Sequence, residues 1–344
     1  MTHLNINVWF RCNARCVFCV VGITDRVTVK GSEMSLSAIQ DRLSEAHDLG
    51  ATAVTFSGGE PTIYPHIAEA AAIAREIGYK NIELKTNGIR LADPAFARRL
   101  VNAGVNRVSV SIHGPSSAVH DALVGVRGAY CMTLKGIENA CRAGATLNVP
   151  TCIQAANYRL LPATVQAILS LGPEACLPTF IEPRGSVGSR FDELVPYYHD
   201  VVPFLEEAVA LLDRQQQTAW ALHGFPLCML RGFEKRSYDL IRRDRESHFA
   251  TEEGSYFDYE LKNLRGLGEA CSSCAVKCAC GGPWRMYTER RGWNEFTPLL
   301  GVNPRQVFST SVLISALFPA IVTARLDGEP RRTLIAEPEN GGTE

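Results

Sequence analysis

The sequence has almost no net charge, and this balance argues against partners that attract basic proteins. It has 35 lysine and arginine residues against 36 aspartate and glutamate residues, which leaves a formal charge of -1 at pH 7. General attraction to nucleic acid or to an anionic membrane needs an excess of positive charge. We therefore expect neither partner.

Apolar segments of the kind that export or anchor a chain are scarce, and we expect neither a signal peptide nor a membrane span. The first residues, MTHLNINVWFRC, are polar where a signal peptide has its apolar core, so we expect a reducing, cytoplasmic location. One uncharged apolar run, residues 307–324, is at the short limit for a membrane span and contains Ser, Thr and Pro. We interpret this run as a packed helix or strand.

Cysteine is abundant, with twelve residues in the chain, and in a reducing compartment metal binding is favoured over disulfides. The segment WFRCNARCVFCV contains Cys12, Cys16 and Cys19 in the spacing C-x3-C-x2-C. A structural zinc site takes four ligands, and a [4Fe-4S] cluster that only stores electrons takes four thiolates. Three cysteines on one short loop therefore indicate a [4Fe-4S] cluster with one open iron, which could chelate a small molecule.

A β-prone run, a polar or Gly-rich turn and a helical stretch repeat through the first 200 residues. The β-prone runs are residues 4–10, 53–59, 81–88, 107–114, 146–154 and 176–183. Helical stretches between them begin at caps such as Ser35 or Ser37 and end at glycines such as Gly78 and Gly104. Parallel strands with right-handed helical crossovers predict an α/β fold, a partial (β/α)6 TIM-like barrel.

The repeat ends near residue 185. Residues 195–220 predict one amphipathic helical stretch, and irregular segments with five further cysteines follow. We therefore expect a core barrel over residues 1–215, a small irregular iron–sulfur domain over 216–300, and a C-terminal extension over 301–344 that is partly a loose tail.

The cysteine triplet, with Phe18 just before its third member, resembles the radical S-adenosylmethionine (SAM) superfamily. GGEP at 58–61, KTNG at 85–88 and SVSIHG at 109–114 resemble the segments with which this family holds the amino group, ribose and carboxylate of SAM. Residues 120–144 are similar to members related to the molybdenum-cofactor biosynthesis protein A. The resemblance implies the following SAM contacts: Gly58, Gly59, Glu60, Pro61, Lys85, Thr86, Asn87, Ser109, Ser111 and Arg127.

The resemblance also implies a shared first step. The reduced cluster on Cys12, Cys16 and Cys19 passes an electron to SAM, which breaks into methionine and a 5′-deoxyadenosyl radical that abstracts hydrogen. An external donor such as flavodoxin or ferredoxin would supply the electron. The protein positions the reactants and excludes water.

A second group of cysteines lies in the C-terminal part. Cys228 and the segment CSSCAVKCACGGPW resemble the SPASM and twitch domains, which hold auxiliary iron–sulfur clusters. The implied ligands of one auxiliary [4Fe-4S] cluster are Cys228, Cys271, Cys274 and Cys280, with Cys278 as the alternative to Cys280. A zinc ribbon is the other interpretation, because C-x2-C with further cysteines is also zinc spacing.

Three functions remain open. The leading one is a radical SAM enzyme acting on a small metabolite or natural-product intermediate. The alternatives are maturation of a ribosomally made peptide, forming a crosslink, thioether or epimer, and a non-catalytic iron–sulfur redox or scaffold protein. A scaffold needs no SAM pocket, so GGEP argues against it. At the expected barrel mouth, Cys152 is a candidate hydrogen-atom donor, and Arg127 and Arg184 are candidate carboxylate binders.

Overall fold

The described residues include ten strands. The computed structural model describes residues 2–20, 33–215, 218–243, 250–251, 254–255, 263–302 and 335–336. The strands are β1 (Thr2–Trp9), β2 (Ala51–Gly58), β3 (Asn81–Thr86), β4 (Arg107–Val110), β5 (Thr146–Ile153), β6 (Ala175–Phe180), β7 (Ala219–Trp220), β8 (Ala250–Thr251), β9 (Gly254–Ser255) and β10 (Ile335–Ala336).

Eight of these strands form one parallel sheet in the order β10-β1-β2-β3-β4-β5-β6-β7. From β1 to β7, strands that follow one another along the chain are neighbours, so each of these crossovers returns to the adjacent position, as in a barrel. The remaining pair, β8 and β9, is a short antiparallel hairpin. The predicted α/β architecture, a partial barrel of parallel strands, is confirmed.

Helices fill the crossovers. Their bounds are α1 (Leu36–Asp48), α2 (Ile67–Ile77), α3 (Pro94–Ala103), α4 (Ser117–Val124), α5 (Ala129–Ala143), α6 (Leu161–Leu169), α7 (Ser186–Ser189), α8 (Phe191–Leu194), α9 (Tyr198–Arg214), α10 (Tyr238–Arg243) and α11 (Arg285–Arg291). Ser35, not Ser37, caps α1, because its Oγ accepts a hydrogen bond of 3.1 Å from the amide of Ala38. α2 and α3 end at Gly78 and Gly104, as predicted.

Alternate strand residues face two different environments. Leu4, Ile6 and Val8 of β1 are buried in the apolar core that the helices share. Residues of the opposite parity line a polar barrel interior, where Thr55 Oγ1 donates a 2.7 Å hydrogen bond to Glu83. Lys85 is exposed although β3 lies between two other strands, so this interior is open to solvent near the strand ends.

Two strands of the sheet were absent from the prediction. β7 pairs with β6, and β10 pairs with β1. Each has two residues, too few for an alternating pattern to show in a sequence. β10 lies within the segment expected to be partly a loose tail, and β7 lies four residues past the expected domain boundary, so the division at residue 215 stays a prediction.

The predicted helical stretch at 195–220 is helical over Tyr198–Arg214. The apolar run at 307–324 lies outside the described residues. Among the helices that the structure describes, none is long and apolar enough to cross a membrane.

Candidate functional site

The cysteine loop follows β1 and is docked on the C-terminal end of α4. The amide of Arg15 donates to the carbonyl of Val124 at 2.7 Å, and the amide of Val17 donates to that of Leu123 at 3.0 Å. Within the loop, Cys12 Sγ accepts a 3.4 Å hydrogen bond from the amide of Ala14. The loop is thus fixed by its backbone amides, one of which donates to the sulfur of Cys12.

The three thiols of the loop are close enough to influence one another. Burial raises the pKa of Cys16 to about 12, and the charges of Cys12 and Cys19 contribute to that rise. Burial likewise raises the pKa of Cys12 to about 11. Three half-buried thiols on one loop are a donor set that fits a [4Fe-4S] cluster with one open iron, since iron takes the thiolate form that burial alone disfavours.

The arrangement of the thiols does not suit a single metal ion. In the described part of the chain, no three Cys, His, Asp or Glu side chains converge tightly enough to hold one ion. In a cluster each thiolate binds its own iron, so its ligands need not meet at one point.

Two glycines let the GGEP segment lie against the cysteine loop. A Cβ on Gly58, whose φ is +117°, would be 2.2 Å from the carbonyl oxygen of Trp9. A Cβ on Gly59 would be 2.1 Å from that of Arg11. The amides of Gly59 and Glu60 donate to these same two carbonyls at 2.8 Å. Only glycine permits this approach, so the segment fixes the start of the cysteine loop.

Glu60 connects GGEP to KTNG. Its carboxylate is buried and accepts hydrogen bonds from the amide of Thr62 at 2.9 Å, the hydroxyl of Thr86 at 2.6 Å and the amide of Asn87 at 2.8 Å. Burial raises the pKa of this carboxyl, and the hydrogen bonds oppose that rise. The Glu60 carboxylate thus joins two segments of the protein, a structural role that the resemblance did not suggest.

KTNG in turn touches the cysteine loop. Asn87 Nδ2 donates a 2.7 Å hydrogen bond to Oδ1 of Asn13, which lies between Cys12 and Cys16. The cysteine loop, GGEP and KTNG therefore meet at the C-terminal ends of β1, β2 and β3, the edge where such barrels carry their chemistry.

The other predicted SAM contacts lie on β4, just after it, in the GGEP segment and between α4 and α5. Ser109 is buried on β4 in register with Lys85, and the amide of Ser111 donates to the carbonyl of Thr86 at 3.4 Å. Pro61 is buried at the start of a short 3-10 turn. Arg127 is exposed in the turn between α4 and α5.

The ends of β5 and β6 complete the barrel mouth. Burial raises the pKa of Cys152, and the charges of Cys16 and Glu182 add to the rise, so this thiol lies near the cysteine loop. The amide of Cys152 donates a 3.2 Å hydrogen bond to Nδ1 of His113, whose ring meets Phe18 edge-on at 4.5 Å.

The loop after β6 also meets the cysteine loop. Arg184 forms an ion pair with Glu182, and Ser186 Oγ donates a 2.8 Å hydrogen bond to the carbonyl of Cys19. Glu182 and Arg184 therefore lie at the same edge as the three thiols.

Four of the five cysteines of the second group line one cavity. Its lining includes Cys228, Cys271, Cys274 and Cys280. Burial raises the pKa of Cys228 to about 12, and the charges of Cys280, Cys271 and Cys274 contribute. Cys278 is exposed. Four thiols around one cavity are a donor set that fits an auxiliary [4Fe-4S] cluster.

The sequence did not point to three further side chains. Thr62 holds Glu60 and follows GGEP directly, so its position was the only available signal. The amide group of Gln154 is buried at the end of β5 without a hydrogen-bond partner among the described residues. Arg265 is fully buried beside the cavity, and arginine alone gives no sign of such burial in a sequence.

Comparison with known proteins agrees with this arrangement. The sequence profile of the radical SAM superfamily matches residues 6–158. The AdoMet-dependent heme synthase of Methanosarcina barkeri is 32% identical over 185 residues, which are 54% of this chain and 52% of the relative. The chain thus spans about half the length of this curated relative.

Two solved structures share the fold. Native anSMEcpe with bound AdoMet has a TM-score of 0.59 at 15% identity, over 94% of this chain and 98% of that one. Streptococcus suis SuiB bound to its precursor peptide SuiA has a TM-score of 0.59 at 14% identity, over 86% of this chain and 74% of that one. Residues 6–158 of the chain are therefore a radical SAM domain.

Proposed function

We propose that the chain is an enzyme that cleaves SAM reductively and abstracts a hydrogen atom from its substrate. The observation that carries this proposal is the junction of three segments, in which GGEP and KTNG both bond to the loop that carries Cys12, Cys16 and Cys19. A scaffold protein needs the thiols but has no use for the other two segments.

Each part of the junction has its own role in the proposal. When bound to Cys12, Cys16 and Cys19, a [4Fe-4S] cluster supplies an open iron that chelates SAM and the electron that cleaves it. The GGEP backbone, held by Gly58 and Gly59 against the loop, lies beside the methionine part of SAM. Thr86, Asn87 and Ser109 lie toward its ribose and carboxylate, with Lys85, Ser111 and Arg127 as outer members of the site.

Water must be kept from the radical, and the buried residues around the junction serve this purpose. Trp9 is 4% exposed and donates through Nε1 to the carbonyl of Glu60 at 2.9 Å. His113 is 5% exposed beneath Phe18. We further propose Cys152, at the same edge, as a hydrogen-atom donor to a product radical and Arg184 as a binder of a carboxylate.

We propose a second, auxiliary [4Fe-4S] cluster on Cys228, Cys271, Cys274 and Cys280. The cavity that these four cysteines line supports it, and the exposure of Cys278 favours Cys280 as the fourth ligand. With all four thiolates in use, no iron is left for substrate, so electron transfer is the role that this ligand set favours.

The substrate that we propose is a small metabolite or natural-product intermediate. The similarity to a heme synthase supports a small molecule. A peptide is the second candidate, and the likeness in fold to SuiB, which was solved with its precursor peptide, favours it. We propose an external donor such as flavodoxin or ferredoxin for the electron, and a cytoplasmic location.

Anaerobic turnover with deuterated substrates tests this proposal. Porphyrin precursors and short peptides, each uniformly deuterated, are incubated with reconstituted protein, SAM and dithionite. Mass spectrometry then measures deuterium in 5′-deoxyadenosine. Deuterium from one class identifies that class as substrate. If no 5′-deoxyadenosine forms above the protein-free control, the enzyme proposal is wrong, and a non-catalytic iron–sulfur scaffold protein becomes the better interpretation.

A further inference from the structure

The motif CACGGPW contains two glycines that the cluster ligands alone do not explain. Cys280 lines the auxiliary cavity, and Gly281 and Gly282 follow it. A Cβ on Gly282, whose φ is +75°, would be 1.9 Å from the carbonyl oxygen of Gly266. A Cβ on Gly281 would be 3.0 Å both from Cζ of Arg265 and from Oδ2 of Asp239. The turn after Cys280 is therefore closely packed against a buried ion pair.

The ion pair joins two segments that are distant in the sequence. Nη1 of Arg265 lies 2.6 Å from Oδ2 of Asp239, and the two side chains are 0% and 2% exposed. Nε of Arg265 donates a 2.7 Å hydrogen bond to the carbonyl of Gly282, and its guanidinium lies 5.1 Å from the ring centre of Trp284. Arg265 thus holds the turn from its carbonyl side.

The same turn also holds the sulfur of Cys280. The amide of Gly282 donates to Cys280 Sγ at 3.3 Å, and the amide of Leu227 donates to it at 3.4 Å. Amide donors to a ligand sulfur stabilise its negative charge and tune the attached metal. Gly282 is thus bonded both to Arg265 and to Cys280, and it links the guanidinium to the sulfur.

A buried ion pair is weak evidence for a role in stability alone. Removing two charges from water offsets much of their mutual attraction, and an apolar pair of similar size is often as stable. Charges in a poorly solvated interior do, however, act strongly on a neighbouring group. Both charged groups lie beside Gly281, and Arg265 is bonded directly to the turn through the carbonyl of Gly282, so we expect the charge of Arg265 to have the larger effect.

We propose that Arg265 and Asp239 are positioning residues that set the reduction potential of the auxiliary cluster by opposite charges beside Cys280. This inference rests on the auxiliary cluster of the proposed function. Reduction adds negative charge to a cluster, so a nearby cation stabilises the reduced state and raises the potential, and a nearby anion lowers it.

Redox titration followed by EPR tests the inference. The parent protein is the Cys12→Ala, Cys16→Ala, Cys19→Ala variant, so that only the auxiliary cluster contributes a signal. Asp239→Asn should raise the midpoint potential, and Arg265→Gln should lower it. Arg236→Gln is the matched control, because Arg236 pairs with Asp213 and stacks on Trp220 in the same part of the chain, and it should leave the midpoint unchanged.

If the ion pair had only a structural role, both single variants would lose iron, and their midpoint potentials would not shift in opposite directions. If the single variants do not fold, Arg265→Met combined with Asp239→Leu removes both charges and keeps the volume. This double variant should hold iron at a lower midpoint than the parent.

The outcomes separate the two proposals. A parent protein without iron contradicts the auxiliary cluster and this inference with it. An iron-bearing parent whose variants keep its midpoint, or shift it in one direction only, contradicts this inference and leaves the cluster intact.

Discussion

The carboxylate of Glu60 accepts a 2.8 Å hydrogen bond from the backbone amide of Asn87, 27 residues further along the chain. This bond joins the segment after β2 to the segment after β3. Asn87 then reaches Asn13 within the cysteine loop. Glu60 therefore connects the segments of the site through its carboxylate oxygens, which are already hydrogen-bonded within the protein.

Glu60→Gln should weaken the site without changing its shape. An amide NH2 in place of one carboxylate oxygen sets a donor against the donors of Thr86 or Asn87, which costs about 1–3 kcal/mol of the free energy of unfolding. SAM affinity should fall with it. Urea denaturation and equilibrium SAM binding measure the two effects, and Glu76→Gln on the exposed face of α2 is the control. Equal stability and affinity in both variants would show that the Glu60 network is dispensable.

Gly59→Ala should disrupt cluster assembly. The new Cβ would lie 2.1 Å from the carbonyl oxygen of Arg11, so the backbone of the cysteine loop must move. Iron and sulfide content after anaerobic reconstitution should fall by roughly half, since the auxiliary cluster would remain. Gly188→Ala is the control, because its Cβ would make ordinary contacts with the side chain of Met286 at 3.5 Å and the carbonyl oxygen of Pro183 at 3.9 Å. Full iron content in Gly59→Ala would contradict the proposed approach of the two segments.

The buried pair His113 and His120 should make the protein less stable in acid. Burial lowers the pKa of His113 to about 3 and that of His120 to about 4. In the unfolded chain a histidine binds a proton near pH 6.5. Below that pH the unfolded state holds more protons, so stability falls as pH falls, by about 2 kcal/mol per histidine from pH 7 to pH 5.

Anaerobic urea denaturation at pH 7 and pH 5 measures this dependence. His120→Gln keeps a group that can accept from the amide of His113 but cannot titrate, so its stability should fall by about 2 kcal/mol less than that of the wild type. His66→Gln, at an exposed position, should behave as the wild type. If the free energy of unfolding changed equally with pH in all three proteins, His120 would not be a source of the acid sensitivity.

Cys280→Ala and Cys278→Ala should differ in auxiliary-cluster content. Cys280 lines the cavity with three other cysteines, and Cys278 is exposed. In the background that lacks Cys12, Cys16 and Cys19, Cys280→Ala should lose most of the remaining four or so irons per chain, and Cys278→Ala should keep them. The reverse result would make Cys278 the ligand, and bound zinc in place of iron would support the ribbon interpretation.

The barrel was predictable because its signals are local. Each of the six predicted strands has enough residues for its apolar pattern to show, and caps such as Ser35 mark the helices within a few residues. The motifs at 58–61 and 85–88 were recognisable for the same reason.

Other features depend on packing between distant segments. The partners of Glu60 lie on two different loops, and Asp239 meets Arg265 only after the C-terminal segments have folded. The choice between Cys278 and Cys280 depends on which side chain a turn directs inward. Spacing alone contains none of this information.

Reductive cleavage of SAM tests the central proposal most directly. Wild-type protein and the Cys12→Ala, Cys16→Ala, Cys19→Ala variant are reconstituted anaerobically and incubated with SAM and dithionite. Chromatography then quantifies 5′-deoxyadenosine. We predict that the wild type forms it and that the variant, with its auxiliary cluster still present by EPR, forms none above the protein-free control. Equal formation by the two proteins would contradict the assignment of the three cysteines.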